Sequence, residues 1–152
     1  MVGQSSEMKN LLLATLLLLA GCAASPPKLS GHLCQDFPVY APSEVKSQMG
    51  GSSGEAIGDP NAEHHLTYWL KTDSKPDQVV AFYKEKMKTL PSAKEITGEE
   101  KYDNSLLQFT CGPTSAGDRV KEFEVIVEKE PEDGKTIFRV SETLKPGLKY
   151  PD

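Results

Sequence analysis

The chain has 152 residues, a formal net charge of −5 and 26% charged side chains. A mildly acidic chain lacks the basic stripe that a nucleic-acid binder needs, and its cleanly alternating later segments argue against disorder throughout. Its longest apolar run, Leu11–Ala20, reads LLLATLLLLA and falls short of the roughly 18–20 residues that span a bilayer.

That run is the first predicted element. Lys9 precedes it and the small residues Ala20 and Gly21 close it, the layout of a secretory signal. Counting from Met8 puts the positive charge at its start, whereas counting from Met1 adds Glu7, so translation from Met8 fits the pattern better. As a helix the run rises only about 15 Å, half of a hydrocarbon core. Removing residues 1–21 leaves 152 − 21 = 131 residues, one domain plus a tail. The charge stays at −5 because Glu7 and Lys9 leave together.

Leu19-Ala20-Gly21-Cys22 resembles the lipobox of bacterial lipoproteins, Leu-[Ala/Ser]-[Gly/Ala]-Cys, in register with the apolar run. The resemblance implies that the Cys22 thiol is joined to diacylglycerol and that its amine is then acylated. Several acyl chains anchor stably where one is marginal. Asp after the lipidated Cys favours inner-membrane retention in the Gram-negative sorting pattern. Ala23 stands there, which implies outer-membrane attachment facing the periplasm.

Residues 22–36 read as a small, polar, Pro-containing tether. Phe37–Ser47 is an irregular edge strand interrupted by Pro38 and Pro42, and Gly50–Asn61 is a glycine- and serine-rich loop. His64–Thr72 alternates as a strand, with His64, Leu66, Tyr68 and Leu70 on one face and His65, Thr67, Trp69 and Lys71 on the other. Ser74 to Asp77 looks like a capping box. A helix should follow, with Val79, Val80, Phe82, Tyr83, Met87 and Leu90 on its apolar side and Leu90-Pro91 stopping it. Ala93–Thr97 is a weak strand, and Ser105–Cys111, Val120–Lys129 and Thr136–Leu144 are strong ones. Pro131 to Gly134 turns the last two into a hairpin. The expected fold is α+β: an antiparallel sheet of about five or six strands with one main helix packed on one face. The domain should span residues 37–145, leaving 146–152 as a tail.

Thr72-Asp73-Ser74, then Val79-x-x-Phe82-Tyr83-Lys84, resembles a module of small bacterial lipoproteins and envelope proteins. Its pattern is Pro-x-Tyr-Pro-Gly-Ala, Thr-x-Asp-Ser, Val-x-x-Phe-Tyr-x-x-x-Leu; here Thr72 stands directly before Asp73, without the intervening residue. Phe37 to Pro42 matches the first part loosely, and the likeness covers residues 37 to about 145. It implies no site residues.

With Cys22 assigned to lipid, Cys34 and Cys111 are left as an even pair in an exported, oxidising compartment. A Cys34–Cys111 disulfide is expected. It would close 78 residues, worth on the order of 4 kcal/mol in the chain-entropy model, and would pin the tether to a strand. No CxxC spacing supports a redox or metal pair.

No catalytic constellation stands out. His64 and His65 point to opposite strand faces and cannot easily share an ion, and His32 lies in the tether, too mobile to complete a site. Glu122, Glu124, Glu128 and Glu130 read as a solvated sheet face, and residues 128–133 lack calcium-loop spacing. Trp69, opposite Leu66, Tyr68 and Leu70, could join Tyr40 in an exposed aromatic binding patch. The expectation is a non-enzymatic, membrane-anchored interaction module with an envelope protein or peptidoglycan as partner, and no metal, cofactor or nucleic acid. The alternative is a binding module for a small apolar or peptidoglycan-derived ligand, in a helix–sheet pocket lined by Trp69 or Phe82. An enzyme ranks third and would need a cleft gathering His64 with two carboxylates.

Overall fold

A computed structural model describes residues 24–53, 59–113 and 119–150. The signal segment and Cys22 lie outside the described residues. Among those described, six strands and one α-helix form a mostly-sheet α+β fold. The strands are β1 (Glu44–Ser53), β2 (Glu63–Thr72), β3 (Lys94–Glu95), β4 (Ser105–Cys111), β5 (Val120–Glu128) and β6 (Thr136–Leu144), and the helix is α1 (Pro76–Met87). The sheet order is β1-β2-β6-β5-β4-β3, every neighbouring pair antiparallel.

Alternation decides which face each side chain takes. Leu66, Tyr68 and Leu70 of β2 share one face with Phe138, Val140 and Leu144 of β6, Phe123, Val125 and Val127 of β5, and Leu107, Phe109 and Cys111 of β4, and all are buried. Ile126, the exception to alternation in β5, lies on the other face beside Arg139. The β5–β6 hairpin closes through Asp133 and Gly134 at φ 52° and 73°, the left-handed pair that a two-residue turn demands.

Helix α1 begins one residue later than the capping box places it. Lys75 is the N-cap, and its N–H donates to Gln78 Oε1 at 2.9 Å. Pro76 occupies the first turn, where no N–H is required. Val79 and Tyr83 are fully buried, one turn apart. The Tyr83 ring lies 5.9 Å from Phe109 and 6.1 Å from Phe138.

Two N-terminal expectations need correction. β1 begins at Glu44 and continues through Gly50 and Gly51, which pair with Leu66 and His65; the ladder to β2 overrides glycine's poor strand preference. Residues 29–36 are also not a free tether. Leu29 and Leu33 are buried together with Phe37 and Val39, and Phe37 stacks on Phe123 at 4.8 Å. This strap crosses the apolar sheet face before the chain enters β1. It carries no helical or strand period because it is neither, yet the apolar surface it covers stabilises it there.

Candidate functional site

The alternation of β6 that buries Phe138, Val140 and Leu144 also buries Glu142, whose residue is 0% exposed. Its strand neighbours are Leu66 and Phe123. A carboxyl group taken so far from water needs partners or its proton. The strap supplies one partner: His32 N–H donates to Glu142 Oε2 at 2.9 Å. His32 Nδ1 stands 3.6 Å from Oε1, beyond hydrogen-bond reach, and neither atom has another partner. Burial pushes the Glu142 carboxyl above the usual carboxylate range, against the opposing pull of His32.

Two further hydrogen bonds hold this arrangement. Ser30 N–H donates to the Tyr68 hydroxyl at 2.9 Å, and the Tyr150 hydroxyl donates to the Glu142 carbonyl at 3.3 Å. Burial and the adjacent Glu142 push the Tyr150 phenol up, so it remains a donor. Between Ser30 and His32, Gly31 has φ +69°, and a Cβ there would stand 2.1 Å from Glu142 Oε1. Only glycine meets both the backbone conformation and the close approach.

Beside this clasp opens a groove of about 850 Å³, walled by the strap, β1, β2, the start of β5 and the C-terminal segment. The exposed Arg119 and Lys149 give it cationic groups over the buried Leu66 and Leu144, and among the described residues no acidic side chain lines it. Arg119 Nη2 donates to the Lys149 carbonyl at 3.1 Å, which ties the C-terminal segment to the root of β5. Cationic groups at the edge of such a groove can retain an anion.

Tyr40 and Trp69 do not form a patch. Tyr40 lies on the covered face, its ring 5.2 Å from Phe82 and 6.2 Å from Phe138. Trp69 lies on the opposite face, where the Arg139 guanidinium sits 6.0 Å from its ring and 4.7 Å from the Tyr102 ring. The two aromatics are divided by the sheet because Phe138 and Arg139 are consecutive in β6.

Cys34 and Cys111 are both free thiols, contrary to the expected disulfide. The Cys34 thiol turns to the Pro27 carbonyl at 3.2 Å, while Cys111 points from β4 into the core. Burial raises both, Cys111 to about 12. His64 and His65 sit at the start of β2, paired with Ser52 and Gly51. In the acidic stripe, Glu124 accepts from Gln108 Nε2 at 3.1 Å, and Glu128 faces Arg139 Nε at 3.5 Å. Among the described residues, no group of three or more His, Cys, Asp or Glu is placed to hold a metal.

Sequence reasoning missed Glu142 and set His32 aside. A signal for Glu142 existed: it is in phase with Phe138, Val140 and Leu144. Nothing local indicated that its partner lay 110 residues earlier. No protein-family model matches the chain, and neither a curated protein nor a solved structure matches it.

Proposed function

We propose that the chain is an exported bacterial lipoprotein, held at a membrane through lipid on Cys22, whose domain works by binding rather than by catalysis. The observation that carries this reading is Leu19-Ala20-Gly21-Cys22 standing at the end of the apolar run Leu11–Ala20. An outer-membrane location facing the periplasm follows from Ala23 by the same resemblance. In this reading α1 and the strap together form the second layer over one sheet face, a view supported by the full burial of Val79, Tyr83 and Leu33. An envelope protein or peptidoglycan is the general partner class. The groove favours a second reading, small-ligand binding, at the strap and strand ends rather than between helix and sheet as the sequence led us to expect.

The test is fractionation of cells producing the wild-type chain and Cys22→Ser, with membranes washed in high salt to strip charge-held protein. The wild type is expected in the washed membranes, with an acylated N-terminal peptide by mass spectrometry, and the variant in the soluble fraction. Equal retention of both, or an unmodified Cys22, would refute the anchor.

A further inference from the structure

Two properties of the groove together define an occupant. The first is charge. Arg119 and Lys149 line it, and among the described residues no acid does. Glu142 sits close by but is fully enclosed and abuts Gly31, and burial favours its neutral form. The cationic character of the groove is therefore not cancelled from beneath.

The second property is position. Ser30 lines the groove and follows Cys22 by eight residues, which reach at most about 28 Å when extended. With Cys22 fixed in a bilayer, the groove cannot leave the neighbourhood of the headgroups. The leash lets the groove come within a Debye length of the surface, where anionic lipid attracts each charge by about 1 kcal/mol.

We propose that this groove is a headgroup site for an anionic phospholipid of the membrane that carries the anchor. Arg119 and Lys149 meet the phosphate. The site orients the domain, turning its strand ends at the strap toward the bilayer and the β5–β6 hairpin away from it. The proposal rests on the lipoprotein reading for its proximity argument, but its test does not use the anchor.

The mature chain carrying Cys22→Ser is mixed with vesicles of phosphatidylcholine alone, or of phosphatidylcholine and phosphatidylglycerol in equal parts. Co-sedimentation is expected only with the mixed vesicles, with amide shifts at Gly31, Gly50 and Tyr150 on binding phosphatidylglycerol bicelles. Arg119→Glu with Lys149→Glu should weaken binding by about thirtyfold or more. Both residues are exposed, and an unchanged urea midpoint of the double variant checks that loss of the bond from Arg119 to the Lys149 carbonyl leaves the fold intact. Lys84→Glu on α1 should leave binding unchanged. Absent binding, equal binding to both vesicles, undiminished binding by the double variant, or shifts confined elsewhere would overturn the site. Full displacement by soluble glycerol 3-phosphate would overturn the membrane as its source. A negative result here leaves the fractionation of Cys22→Ser standing, and a failed anchor leaves the vesicle result readable.

Discussion

Gly31→Ala is the sharpest probe of the clasp. Gly31 sits at φ +69°, and the added Cβ would approach Glu142 Oε1 to 2.1 Å and Cδ to 2.9 Å. The left-handed backbone alone costs about 1–2 kcal/mol. Because Glu142 is fully enclosed, its carboxyl cannot swing into solvent to make room, and overpacking adds about 1–3 kcal/mol. The expected total is about 2–5 kcal/mol, a fall of about 1 M or more in the urea midpoint for a domain of this size. Gly134→Ala is the control, with φ +73° and nothing within 4 Å of the added carbon, so it should show the backbone cost alone. In a Glu142→Ala background the clash disappears, and Gly31→Ala should cost no more than Gly134→Ala does. Equal destabilisation by the two glycine substitutions in the wild-type background would refute the close approach.

The remaining predictions concern the acid, the strap and the thiols. Burial holds the Glu142 carboxyl above its ordinary value of 4.5, so between that value and the folded one the native state holds a proton that the unfolded state has lost. Stability should therefore fall as pH rises through that window, and Glu142→Gln should flatten the fall in urea midpoints measured against pH; an unchanged slope would contradict this. Leu33→Ala should cost about 2–5 kcal/mol because Leu33 is fully buried, whereas a solvated tether would show under about 0.5 kcal/mol. Alkylation of the native protein without reductant should label Cys34 well before Cys111, whose thiol is pushed up to about 12, and should label both in denaturant. Failure to label either thiol in denaturant would restore the disulfide.

Strand periodicity made most of the sheet legible. β4 and β6 have the bounds their alternation implies, and β5 ends at Glu128, one residue earlier than read. These strands bury one face continuously, so register and composition agree. β1 was obscured because Gly50 and Gly51 resemble loop residues and their strand character comes from β2 rather than from themselves. The strap was harder still. Leu29 and Leu33 stand among Ser, Pro and Gly in a segment without a repeating geometry, so no period could separate a docked coil from a free one. The clasp was half legible: the inward phase of Glu142 follows from alternation, but its contact with His32 is a property of the folded chain.

The strap also has a consequence for the order of assembly. The segment nearest the N-terminus bonds to β6, since His32 reaches Glu142 across 110 residues. In synthesis from the N-terminus, residues 29–37 emerge early and must wait for β6 before their docking surface is complete. Long-range closures of this kind slow folding, so an unfinished chain exposes Leu29, Leu33 and Phe37 for most of its synthesis. After closure the same contact works mechanically. A pull on the N-terminal end loads the strap against the core, so the leash and the fold bear force in series.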